Sequence, residues 1–298
     1  MRISTQTLYE SGGARISDLQ SSVVQTQQQI ATGRRILTPS DDPFAVARVL
    51  DVSQAQSVNT QYGLNRQTAA SALGLVDGTL SGVTDLLLNV KSTVVSAGDG
   101  TLNDTQRSDI AIQLKSDLTS LLGLANTRDA QGNYMFSGYQ TSTPPFVQTA
   151  TGALYQGDQG QQLLQVDATR QMAVNTPGQA AFQGGGQDIF QTLTSLVNLL
   201  QTAGAPNPAT LTGLSNNVDL ALNNLMSVRA SVGSRMQELD ALNSVGSNRD
   251  LQYSQTLSGL QDLDYDKAAT LLSQQQTTLQ AAQQSFVKIS GLSLFNYL

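Results

Sequence analysis

Two stripes of apolar residues, each on a seven-residue repeat, restrict this chain more than any other feature in it. Ala69, Val76, Val83 and Val90 form one seam position, and Leu73, Leu80, Leu87 and Val94 form the other. Much later, Leu211, Val218, Leu225, Val232 and Leu239 repeat the spacing, with Leu214, Ala221, Val228 and Leu242 beside them. A heptad stripe stays on one helix face only when that helix lies lengthwise on another. The spacing therefore predicts two long helices packed against each other. The first, from about 43 to 96, is roughly 80 Å long at 1.5 Å per residue. Gly63, Gly74 and Gly78 weaken it, Arg235 breaks the second stripe once, and that stripe loses regularity near Gly246.

Thinner stripes lie at both ends. Tyr9, Ile16, Val23 and Ile30 are seven apart, Leu19 and Thr26 take the second seam position, and the pattern stops at Gly33. Tyr265, Leu272, Leu279 and Phe286 answer them, with Ala268, Gln275, Ala282 and Ile289 three residues after each. The second stripe runs through a bed of glutamine, of which the chain has 36. So few apolar side chains make a marginal helix in isolation. These ends are predicted to pair with each other and to gain stability by assembling with further chains.

The segments between carry helix and turn signals. Asp42 before Pro43 reads as a cap followed by the first helical residue. SAGDGTLND, residues 96 to 104, reads as a loop and a cap. A helix follows with Ile110, Leu114, Leu118, Leu121 and Leu122 on one side. From Tyr134 to about Phe182 short runs (YMFSG, PPFV, ALYQG, QLLQV, QMAV) alternate with turn residues, which predicts β-structure. The triplet at 184 to 186 lacks the Lys-Ser/Thr of a phosphate-binding loop and reads as a hinge before a helix capped by Asp188. The fold class is mainly α: a long-helix coiled-coil bundle formed by the N- and C-terminal regions, with a small β-rich domain inserted in the middle. The predicted divisions are an assembly segment 1–42, bundle halves 43–133 and 184–250 around a β-rich outer domain 134–183, and a second assembly segment 251–298.

Composition narrows the chemistry. There is no Cys, His or Trp, and charged residues are 13%, against roughly 25% in a typical soluble domain. Thiolate nucleophiles, imidazole bases and ordinary zinc or copper sites are thereby excluded. The acidic groups Asp99 with Asp104, and Asp262 with Asp264 and Asp266, read as turns, caps and solvated faces. No enzyme activity, catalytic residue, cofactor or metal is expected. A net charge of −6 and a single basic doublet, Arg34-Arg35, argue against nucleic acid as a partner. The first residues lack the apolar core of a secretory signal, and no run approaches the ~18 uninterrupted apolar residues of a membrane span. The chain reads as cytosolic, or as leaving the cell by a route without signal cleavage.

Several stretches carry a family likeness. IATGRRILTPSDDPFAVARVL resembles the Gly-Arg-x-Ile segment and acidic helix start of the bacterial flagellin superfamily. Ser40-Asp41-Asp42-Pro43 looks like the form found in its junction proteins, as do GNYMFSGYQTSTPPF and ALYQGDQGQ in the middle. LQDLDYDKAATLLSQQQTTLQAAQQSFVKISGLSLFNYL is similar to the terminal helix, and its FNYL ending points away from plain flagellin. The resemblance implies a structural subunit, exported unfolded through the flagellar type III pathway and assembled outside the cell. It implies copies of itself in a ring, a hook-side junction protein, flagellin, and an export chaperone on the C-terminal segment as partners. Other readings of the same residues are a flagellin that builds the filament itself and a secreted coiled-coil adaptor or effector. Residues expected to carry assembly are Tyr9, Ile16, Leu19, Val23 and Ile30 at one end, and Tyr265, Leu272, Leu279, Phe286 and Ile289 at the other.

Overall fold

The computed structural model describes residues 2–291. The FNYL ending, and with it the end of the expected C-terminal assembly segment, lies outside them. Seven helices and four short strands are described: α1 (Arg2–Thr32), α2 (Pro43–Ala97), α3 (Asp104–Ala125), β1 (Phe146–Thr149), β2 (Gly152–Tyr155), β3 (Leu163–Asp167), β4 (Arg170–Ala173), α4 (Gly178–Phe182), α5 (Ile189–Gln201), α6 (Pro208–Gln261) and α7 (Tyr265–Gly291). They form two compact units. One comprises residues 1–58 and 248–298, the other residues 59–247.

In the second unit the two heptad stripes face each other antiparallel. Lys91 pairs with Asp219 at 2.6 Å, Arg229 with Asp77 at 3.0 Å, and Arg66 with Asn243 at 2.7 Å. Between them Leu73, Leu80, Val83, Leu87, Val90, Val218, Val232 and Leu239 are buried. Gly74 and Gly78 do not interrupt α2, because the buried stripe supplies what glycine's low helix propensity withholds. An 18-residue window of α2 is apolar enough by composition to cross a membrane, but its buried stripe packs inside the bundle.

Helices α3 and α5 complete the bundle. Asn103 caps α3 through a reciprocal bond with Gln106, and Asp188 caps α5 by accepting the Phe190 and Gln191 N–H groups. Leu114, Leu118 and Leu121 of α3 and Phe190, Leu193, Leu196 and Leu200 of α5 join one core with α2 and α6.

The middle segment carries strands, as expected. It holds two separate antiparallel hairpins, β1 with β2 and β3 with β4, and no larger sheet. The predicted first run, YMFSG, forms turns instead of a strand. Phe136 in that run is needed as a core plug and sits edge-on to Phe182 at 5.2 Å. Phe146 packs against Phe190 of α5 with ring centres 4.8 Å apart and the rings tilted by 41°. Residues 134–183 thus share the bundle's core. Two such hairpins bury too little to stand alone. Arg235, the violation in the α6 stripe, donates to the Ala173 and Asn175 carbonyls, and Arg170 forms a two-pronged pair with Glu238. Helix α6 runs on past Gly246, where the apolar stripe loses regularity. It continues to Gln261, because polar side chains take over the seam where the apolar ones end.

Candidate assembly surface

In the first unit α1 and α7 pack face to face and antiparallel. Their burial follows the heptads. Along α7 between 265 and 289 only Ala268, Leu272, Gln275, Leu279, Ala282 and Phe286 are buried or half-buried. Along α1 Val23 and Thr26 are buried, while Tyr9, Gly12, Ile16, Leu19 and Ile30 are half-buried. Two of the predicted seam residues are exposed: Tyr265 at 56% and Ile289 at 48%. Both belong to the outermost turns of the pairing, where one neighbouring helix covers less of each ring or branch.

The contacts show how thin stripes can still interlock. Tyr9 meets Phe286 edge to face at 6.2 Å. A Cβ on Gly12 would lie 2.8 Å from Phe286 Cδ2, and one on Gly33 would lie 2.9 Å from the Tyr265 hydroxyl. Thr26 donates its hydroxyl to Gln275 Oε1 at 2.9 Å. This register sets the large residues of one helix against the small or polar ones of the other. Gly12 and Gly33 stand at the same heptad position as Leu19 and Thr26, so the repeat carried a signal for them. As glycines they offered no apolar side chain to read.

The link between the ends is zipped by backbone bonds. Gly33, at φ 68°, turns the chain out of α1 in a conformation that favours glycine. Its carbonyl accepts the Leu263 N–H at 2.9 Å, and the Arg35 N–H donates to the Gln261 carbonyl at 2.8 Å. The Arg35 side chain reaches the Leu260 carbonyl at 2.9 Å and the Asp42 carboxylate at 3.3 Å. Arg35 was not among the predicted residues, since a basic doublet in sequence does not reveal carbonyls distant along the chain.

Asp42 accepts the Ala45 N–H at 3.0 Å, as a cap should. That bond first, then Arg35, holds its carboxyl below the usual range. Asp41 accepts the Thr38 and Leu37 N–H groups, which lower it in the same way. Asp264 caps α7 by accepting the Lys267 N–H, and the Lys267 ammonium, the larger influence, keeps it low. Asp99 closes a turn on Thr101 and Asp104 pairs with Arg107. These carboxylates are engaged in caps and turns, and none converges on another. Among the described residues no group of acidic side chains could hold a metal ion.

Around the pair, apolar side chains remain uncovered. Phe44 is 82% exposed, Leu50 68% and Val287 66%. At the link into α2, Ile36, Leu37, Pro39, Val46 and Val49 line an open groove. Isolated exposed apolar residues are ordinary, but several in one unit mark a surface suited to contact.

The bacterial flagellin N-terminal helical region matches residues 3–141, and the C-terminal helical region matches residues 215–298. The flagellar hook-associated protein 3 of Escherichia coli (strain K12) is 35% identical, the alignment covering 99% of each chain. The chain belongs to the flagellar hook-associated protein 3 family of the bacterial flagellins. The Salmonella typhimurium protein of that name is also 35% identical, again over 99% of both chains. The fold agrees with a solved structure of hook associated protein-3 from Legionella pneumophila. It has a TM-score of 0.65, is 20% identical, and covers 70% of this chain and 98% of that one.

Proposed function

We propose that this chain is a structural subunit of the bacterial flagellum that joins the hook side to the flagellin filament. The carrying observation is the end-to-end likeness to flagellar hook-associated protein 3, outer segments included. The subunit sits outside the cell after export through the flagellar type III pathway without signal cleavage. It assembles as copies of itself in a ring, between a hook-side junction protein and flagellin. Residues 1–42 and 251–298 are the assembly segments. The seam from Tyr9 to Ile30 and from Tyr265 to Ile289 pairs within one chain, and the apolar residues around it contact neighbours. An export chaperone holds the C-terminal segment before export, covering side chains such as Leu271 and Val287. The subunit performs no catalysis.

Deleting the gene tests this reading. The expected result is loss of motility with unpolymerised flagellin in the medium, restored by the gene in trans. Purified protein should not extend into long filaments when seeded. Filament growth by the purified chain would make it a flagellin. Normal motility in the deletion strain would make it an adaptor unrelated to the flagellum.

A further inference from the structure

The apolar heptads of α2 and α6 leave one question open: which of several alignments the helices take. Leu73, Leu80, Leu87 and Val94 resemble one another, as do Leu211, Val218, Leu225, Val232 and Leu239. A slip of seven residues, about 10 Å along the axis, would restore much of the same apolar contact. Following each stripe past its apolar end reveals a difference. One heptad before Leu73 stands Arg66, and one before that Asn59. One heptad after Leu239 stands Gly246.

These three seam positions make one buried layer. Arg66 is 3% exposed and Asn59 7%. Arg66 Nε donates to Asn243 Oδ1 at 2.7 Å, and Nη1 donates to the Val166 carbonyl in β3 at 3.0 Å. Asn59 Nδ2 donates to the Gly246 carbonyl at 2.9 Å. A side chain at Gly246 would overlap the guanidinium. The neighbouring Asn65 donates to the Gln165 carbonyl at 2.7 Å, so the same turn of α2 also holds the β3–β4 hairpin. Asn59 Oδ1 is buried without a partner, a sign that the layer is not built for stability alone.

We propose that Arg66, with Asn59, Asn243 and Gly246, is a register lock that admits one alignment of α2 on α6 and ties the β3–β4 hairpin to it. Slipping α6 by a heptad would place Leu239 or the next seam residue against the guanidinium. With Leu239 there, Met236 takes the place of Asn243 and the buried guanidinium loses that acceptor. In the other direction Asp250 takes the place of Asn243, but Tyr253 falls where even a Cβ on Gly246 would overlap the guanidinium. Polar residues at single seam positions select register in this way at some cost in stability. The inference rests on the fold and not on the flagellar reading.

The chain has no cysteine, so nitroxide labels at Ser71→Cys and Gln237→Cys attach there alone. Both positions are exposed. Electron-electron resonance should give one narrow distance in the otherwise unchanged protein. In Arg66→Met with Asn243→Leu, which replaces donor and acceptor together, helical circular dichroism should persist and the melting temperature should not fall. A second, longer distance should appear, consistent with a slip of about 10 Å. A single narrow distance in that variant would overturn the lock. Loss of its helical signal would overturn it too, because the layer would then supply stability instead of choosing an alignment.

Discussion

At the scale of single residues, close approach decides more than apolar content. Gly12 leaves room for the Phe286 ring, and a Cβ there would sit 2.8 Å from Cδ2 and 2.9 Å from Cε2. Alanine or leucine at this helical position gains up to about 1 kcal/mol in intrinsic propensity over glycine, so a helix judged alone would welcome the change. Against Phe286 the sign reverses for a large side chain. Gly12→Leu should loosen the α1–α7 pair, lowering the temperature at which proteases cleave it. In a Phe286→Ala background the same substitution should be neutral or protective. Equal effects in both backgrounds would show that Gly12 and Phe286 do not meet. Residue-level detail of this kind was half legible in the sequence. The seam positions followed from a repeat, and burial on α1 and α7 falls on most of them, with Tyr265 and Ile289 exposed. The glycines, the Thr26–Gln275 bond and the part played by Arg35 were not legible, because each depends on a partner distant along the chain.

At the scale of elements, the α2 and α6 stripes were read correctly because a buried heptad admits few alternatives. Leu80 is fully buried between them. Leu80→Asp should cost several kcal/mol by burying an unpaired charge, and Leu80→Ala about 2–5 kcal/mol. Thermal unfolding followed by circular dichroism should show the order wild type, alanine, aspartate. A melting temperature unmoved by aspartate would remove Leu80 from the core. The middle segment was less legible. Short apolar runs between turn residues do indicate β-structure, yet periodicity cannot tell a strand from a plug such as Phe136. Arg235 looked like an error in a stripe and instead holds two carbonyls of the hairpin region. The links at 33–42 and 262–264 carry a pH dependence. Asp41, Asp42 and Asp264 are all lowered in the folded chain. Their contribution is therefore complete above the ordinary carboxylate value and lost as pH falls through the folded values. Because these groups are exposed, the loss should be confined to the links, visible as faster amide exchange at Leu37, Thr38, Ala45 and Lys267 in acid. Exchange at those amides that does not change between neutral pH and pH 3, after correction for intrinsic rates, would contradict the cap assignments.

At the scale of the whole molecule, the two units differ in how much they bury for their length. The 59–247 unit has a continuous core of fully buried aliphatic and aromatic side chains. In the pairing of α1 with α7, Val23, Thr26 and Ala268 are buried, Tyr265 and Ile289 are exposed, and the remaining seam residues are half-buried. A fully buried large aliphatic contributes about 1.5–3 kcal/mol, whereas fixing each backbone residue costs about 1–2 kcal/mol before hydrogen bonds are counted. Half-buried Leu272, Leu279 and Phe286 fall short of what a helix of this length asks for with one neighbour. Added neighbours would cover Leu271 and Val287 and finish the burial of the seam, and the glutamines would offer hydrogen bonds between chains without burying charge. Folding of the ends would then be coupled to assembly. In dilute monomer, amides of residues 271–286 should exchange far faster than those of residues 76–94, although both segments are helical. In the assembled flagellum the two should approach each other. Protection across 271–286 in the monomer equal to that of 76–94 would mean that α1 and α7 form a sufficient core by themselves. Assembly would then be the docking of finished subunits.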